Sequence, residues 1–175
     1  MQAIVAIDEN YAIGKEGGML FSLPGDLKYF ARMTKGKALV MGRATLESFP
    51  GGKPLPGRPH IVLSRDPSFA VPGQLVVHSL KELEEALAPY APDDVFLVGG
   101  GQLYSLLIDC CTAAYVTRVR AAAEGADSWF PNLDARPGWA LADETEAAVD
   151  NGYAYTRRCY RNTAVRAISD IETKQ

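Results

Sequence analysis

Asp26 is the acid of this chain best placed to do chemistry. It lies in Leu23-Pro24-Gly25-Asp26-Leu27-Lys28-Tyr29-Phe30. Pro24 suits a first helical turn, and an acid two residues on suits the positive end of the helix dipole. At 100° per residue, Leu27, Phe30, Met33 and Thr34 fall on or beside the face of Asp26, with Lys28 and Arg32 opposite. A carboxylate on an apolar face is costly unless paired, and its pKa is open to perturbation, as acid–base or ligand-anchoring work requires. A capping Asp that only satisfies backbone donors uses the same residue, and that alternative stays open at this point.

Three further clusters suggest an anionic ligand. Val98-Gly99-Gly100-Gly101-Gln102-Leu103-Tyr104 places glycines between an apolar run and a helical one, where backbone amides can meet a phosphate. It is not the G-x-G-x-x-G fingerprint, so a tight turn without ligand stays open. Met41-Gly42-Arg43-Ala44-Thr45 and Leu63-Ser64-Arg65 put a guanidinium beside Gly or Ser at the end of an apolar run. Ligands of open α/β sheets gather at the carboxyl ends of strands, and Arg recognises phosphate or carboxylate through two parallel bonds. Three such ends together point to a phosphorylated ligand. Other chemistries find no support. His60 and His78 lie too far apart in sequence for a metal pair, no nucleophile elbow occurs, and Gly51-Gly52-Lys53 lacks the spacing of a P-loop.

The elements that must carry these groups are legible from pattern. Continuous apolar, β-branched runs at Ala3–Asp8, Ala38–Met41, His60–Ser64, Leu75–His78, Val95–Val98 and Tyr115–Val119 predict strands covered on both faces. Helical periods at Pro24–Thr34, Arg43–Phe49, Leu80–Leu87 and Gly101–Ile108 alternate with them, which predicts an open, largely parallel α/β sheet with helices on both faces. Trp139–Glu144 and Tyr153–Tyr160, joined through Asp150-Asn151-Gly152, predict a closing antiparallel hairpin. Residues 1–161 read as one domain, and polar residues 162–175 as a loose tail or surface helix.

Composition narrows the setting. The 175 residues can bury a core that needs no disulfide or metal staple. Three cysteines, two of them adjacent, form no disulfide framework. No secretory leader and no apolar run of membrane-spanning length is evident, which predicts a cytoplasmic protein. A net charge of -3 argues against nucleic-acid binding. Within it, Lys28 to Arg65 holds eight basic residues and one acid, Glu47, a local +7. That block suits small anions, although a solvated basic face stays open.

In order and spacing these motifs resemble the dihydrofolate reductase family. The resemblance runs from Ile4 to Tyr160 through Ala12-Ile13-Gly14, Leu23-Pro24-Gly25-Asp26-Leu27, Val40-Met41-Gly42-Arg43, Pro54-Leu55-Pro56-Gly57-Arg58, Ile61-Val62-Leu63-Ser64-Arg65, Val98-Gly99-Gly100-Gly101 and Glu124-Gly125. It implies an eight-stranded, mainly parallel sheet flanked by helices, and reduction of 7,8-dihydrofolate to tetrahydrofolate by NADPH. Asp26 would then hold N3 and the exocyclic amine of the pteridine, with Thr117 tying both together. Ile4 and Val98 would present carbonyls; Val5, Leu27, Phe30, Phe49 and Leu55 would form walls. Arg58 would clamp the glutamate tail, with Lys53 nearby.

On the cofactor side, the resemblance implies that Arg43, Ser64 and Arg65, with Leu63, bind the 2′-phosphate end. Thr45 and the Gly100 to Gln102 amides would hold the pyrophosphate, with a cis peptide between Gly99 and Gly100, and Gly42, Ala44, Gly99 and Leu103 would also line the cofactor site. Ala6, Ile13, Gly14 and Tyr104 would border the nicotinamide. Asn10 to Leu23 would be a closing loop that carries Met19 and Phe21 to the reacting carbons. Antifolates would bind the same cleft, and the protein would be a monomer without bound metal. Two positions depart from the family. Leu20-Phe21 stands where many members have Pro-Trp, which leaves no indole N–H to hold a water. Ala44 replaces a polar residue often found beside the Arg. A reductase of another pterin or a pyrimidine would have no use for Arg58, and a non-catalytic NADPH-binding module would need neither Asp26 nor Thr117.

Overall fold

Ala3, Val40, Ile61 and Leu97 pack on one face of a sheet, and Ile4, Leu39, Met41, Val62 and Phe96 on the other, all buried. Strands with two buried faces read as unbroken apolar runs, which is why the runs here lack alternation. The computed structural model describes residues 1–171. Its strands are β1 (Gln2–Ile7), β2 (Ala12–Lys15), β3 (Gly18–Met19), β4 (Ala38–Gly42), β5 (His60–Leu63), β6 (Leu75–Val77), β7 (Val95–Leu97), β8 (Ala113–Val119), β9 (Ser128–Trp129), β10 (Trp139–Glu144), β11 (Ala148–Asp150) and β12 (Tyr153–Asn162). Its helices are α1 (Pro24–Met33), α2 (Arg43–Ser48), α3 (Leu80–Leu87) and α4 (Gly101–Leu107).

The main sheet runs β10-β12-β8-β1-β7-β4-β5-β6, with β11 also paired to β12. The pairs β1–β7, β1–β8, β4–β7, β4–β5 and β5–β6 are parallel, and β8–β12, β10–β12 and β11–β12 antiparallel. Phe30 and Met33 of α1 and Leu46 of α2 pack on the Ile4–Leu39 face. Leu83 of α3 and Leu103, Tyr104 and Leu107 of α4 pack on the Ala3–Val40 face. This is the α/β architecture expected, with strand ends displaced by a residue or two.

Three expectations change. The turn at Asn151-Gly152, both with positive φ (48° and 82°), joins β12 to β11 rather than to Trp139–Glu144. β10 and β11 are two parts of one edge along β12, broken at Thr145, whose amide still donates to the Arg157 carbonyl at 2.9 Å. A second sheet, β3-β2-β9, was not expected, its strands being too short for a periodic signal. The chain after Asn162 is packed down rather than loose as far as Ile171, and its one helical turn is buried at Ile168. Ile168 is buried in a 3₁₀ turn, Ile168–Asp170, and the Arg166 amide donates to the Asp109 carbonyl at 2.9 Å. Residues 172–175 of the expected tail lie outside the described residues. Among the described residues no helix is long and apolar enough to cross a membrane.

Candidate active site

Leu23, at the N-cap of α1, has no side chain able to accept from the helix. Asp150 does so from the β11–β12 turn, its Oδ2 accepting from the Gly25 amide at 2.6 Å. Asp26 is therefore not the cap. Its Oδ1 accepts instead from the Thr117 hydroxyl at 2.6 Å, a charge-assisted bond between α1 and β8. The Asp26 side chain is 17% exposed. Burial raises its pKa; the Thr117 hydrogen bond and the Arg157 charge act in the opposite sense, and Asp150 adds to the rise. One partly dry carboxylate, pinned at one oxygen, stands at the mouth of the sheet.

The expected apolar walls do converge. Phe30, Phe49, Leu55 and Val98 pack in the cluster built on Ile4, Leu39 and Met41. Leu27 stays 48% exposed at the rim. Val5 does not join them, because alternation along β1 turns its side chain to the opposite face, with Ile13, Leu63, Leu103 and Tyr104. The Ile4 carbonyl already accepts from the Tyr104 hydroxyl at 2.6 Å and retains a second lone pair.

Arg58 donates to the Thr34 hydroxyl at 3.2 Å, which anchors one nitrogen of its fork. The loop that carries it is braced by His60, which is 1% exposed. His60 Nε2 accepts from the Leu55 amide at 3.1 Å, so Nδ1 is the protonated nitrogen and donates to the Arg58 carbonyl at 2.8 Å. Burial pushes its pKa down, in keeping with a neutral ring. Neither histidine reading in the sequence foresaw this brace. Lys53 is exposed on the same loop.

The three glycine or arginine clusters become neighbours, since β7, β4 and β5 are adjacent and parallel. The Gly42 amide donates to the Gly99 carbonyl at 2.9 Å, and the Gly99–Gly100 peptide is cis. A Cβ on Gly99 or Gly100 would lie 3.4 Å from the Thr45 hydroxyl, so these glycines keep that hydroxyl against bare backbone. Arg43 lies over Phe69, its guanidinium carbon 4.5 Å from the ring centre, and pairs with Glu47 at 2.6 Å and Asp66 at 3.2 Å. Arg65 is exposed and Ser64 buried. Part of the basic block is thus neutralised by acids outside it, Asp66 here and Asp94 on Lys37.

The expected loop, Asn10 to Leu23, carries β2 and β3, which pair with each other and with β9 in the second sheet. Asp8, fully buried, accepts from the amides of Asn10, Ala12 and Ala123, and Asp127 accepts from the Glu16 amide at 2.7 Å. Met19 is 70% exposed. Phe21 packs on Tyr153 of the hairpin, ring centres 4.8 Å apart, so it holds the loop to β12 by apolar contact.

The family model described as Dihydrofolate reductase matches residues 1–162. The chain belongs to the dihydrofolate reductase family. It is 37% identical over 154 residues to dihydrofolate reductase of Bacillus subtilis, covering 87% of this chain and 88% of that one. It is 40% identical over 155 residues to that of Neisseria gonorrhoeae, covering 87% and 92%. Its fold superposes with a TM-score of 0.78 on dihydrofolate reductase from Enterococcus faecalis complexed with NADP(H) and RAB-propyl, at 37% identity over 92% of this chain and 95% of that chain. Within this dihydrofolate reductase fold the sequence reading missed Arg157. It rises beside Thr117 on β12 with its Nε 3.9 Å from Asp26 Oδ1. The signal was available: positions 153, 155 and 157 of a strand share a face, and the last of these is charged.

Proposed function

We propose that this chain, an NADPH-dependent dihydrofolate reductase, anchors the pteridine on Asp26. The observation that carries the reading is the 2.6 Å hydrogen bond from Thr117 to Asp26 Oδ1. It fixes a carboxylate on α1 one turn before Phe30 while leaving acceptor capacity for paired N–H donors. The negative charge favours dihydrofolate protonated at N5, the form that accepts hydride at C6. Phe30, Phe49 and Leu55 wall the ring, and Arg58, held by Thr34, receives the tail carboxylate with Lys53 close by. Apolar walls exclude water, so the chain's main contribution is positioning.

The strand ends suit a phosphorylated dinucleotide. Arg43, Ser64 and Arg65 would hold its 2′-phosphate, and Thr45 with the Gly100 to Gln102 amides its pyrophosphate. Ala6, Ile13, Gly14 and Tyr104 would border the ring. When bound, NADPH supplies the hydride, and N5 takes its proton from water. Met19 and Phe21 lie on the segment that faces this chemistry. Antifolates that offer paired donors compete for Asp26. The three cysteines are free, as in a reducing, cytoplasmic setting.

The test is loss of NADPH absorbance on adding purified protein to dihydrofolate, with NADH as control. Rapid loss with NADPH and little with NADH is expected. Bound NADPH without turnover would overturn the reading.

A further inference from the structure

Arg157 is a cation on an inward face of the sheet. It stands opposite Thr117 in the β8–β12 register, so both side chains rise on the side that α1 covers. Its guanidinium carbon lies 4.3 Å from the ring centre of Tyr29 on α1 and 4.9 Å from that of Tyr155 on β12. Nη2 donates to the Tyr155 hydroxyl at 3.2 Å. Nε is buried and donates to no group among the described residues, and it faces Asp26 Oδ1 at 3.9 Å. Two aromatic faces hold a planar guanidinium in a way an ammonium cannot match. The separation is too long for a hydrogen bond and short enough for strong coupling in a partly dry cleft.

Thr117 and Arg157 both act on Oδ1, whereas Oδ2 accepts nothing from the described residues. We propose that Arg157 is a positioning residue for Asp26: held between Tyr29 and Tyr155, it fixes the orientation of the carboxylate and keeps it charged, with Oδ2 free for the ligand. This rests on Asp26 as the pteridine anchor. The groups that act on Asp26 are Thr117 from β8, Arg157 from β12 and Asp150 from β11, while Tyr29 of α1 lies in reach of Arg157, Asp26, Tyr115 and Cys159. Among them Arg157 is the cation. Burial and Asp150 favour the neutral acid, and Thr117 and Arg157 oppose them.

The test is carboxyl ¹³C NMR titration of Asp26 in the ligand-free full chain, alongside the pH profile of kcat/KM. Arg157→Gln is expected to raise the Asp26 midpoint by about one pH unit, a tenfold gain in proton affinity, and to move the acid limb of kcat/KM by the same amount. Arg157→Lys should return the midpoint most of the way. An unchanged midpoint in folded Arg157→Gln, or equal shifts in the Gln and Lys variants, overturns the proposal. Should Arg157→Gln fail to fold, Tyr29→Leu removes one face of the clamp. An upward shift there supports the proposal and an unchanged midpoint overturns it. The titration needs no turnover, so a wild-type chain that fails to oxidise NADPH with dihydrofolate sinks the functional reading and leaves the coupling standing.

Discussion

Asp150 caps the helix that carries Asp26: its Oδ2 accepts from the Gly25 amide at 2.6 Å, across 125 positions of sequence. The same turn donates from Asn151 Nδ2 to the Ser22 carbonyl at 3.0 Å. The C-terminal hairpin therefore sets where Asp26 sits. Asp150→Ala should cost about 1 kcal/mol, the usual worth of an N-cap, and raise KM for dihydrofolate more than the Kd for NADPH. Asp150→Asn keeps an acceptor and removes a like charge, so Asp26 should titrate lower. Denaturant unfolding and ¹³C titration check the two.

Asp26→Asn should lower hydride transfer at pH 7 by roughly a hundredfold or more, with part recovered in acid, where substrate is already protonated. A pH-independent defect would refute the charge argument.

The same variant should be more stable at neutral pH. The folded-state pKa of Asp26 lies above its ordinary value of 3.8. Its contribution to stability is thus full below that value and lost as pH rises through the folded pKa. Removing the charge should raise Tm at pH 7. The gain should vanish near pH 3.

Arg58→Leu should raise KM for dihydrofolate roughly tenfold to a hundredfold, the scale of a charged hydrogen-bonded contact. NADPH affinity should be unchanged, because Arg58 meets Thr34 and His60 rather than the β4–β5 strand ends. Loss of NADPH affinity with folate binding intact would reverse the placement of the two ligands.

Gly101→Ala should destabilise by about 1–3 kcal/mol through overpacking. A Cβ there would meet Ser128 Oγ at 2.6 Å and the Trp129 carbonyl at 2.9 Å. NADPH should also bind more weakly as α4 shifts. Gly18→Ala, whose added Cβ meets only the Lys15 carbonyl at 3.6 Å, is the control expected to behave as wild type. Unfolding midpoints and NADPH titration read both.

The strands and helices of the main sheet were legible locally, because an unbroken apolar run and a 3.6-residue period are short-range signals. Asp26, Arg58, Arg43, Arg65 and the glycines were legible as types at telling positions for the same reason. Whether Asp26 caps a helix or serves a cleft was not, since the answer depends on Thr117 and Asp150, 91 and 124 positions away. Nor was the side of the sheet that each residue serves. Val5 and Ile4 are adjacent and alike in type, yet the pleat sends them to opposite faces. The β3-β2-β9 sheet, the His60 brace and the Arg157 clamp likewise arise from pairings between distant segments. Composition and spacing therefore marked most of the candidate residues. The register of β8 against β12, and the packing of α1 upon both, decided which of them touch: a charge acts over a few ångströms of space, whatever the separation along the chain.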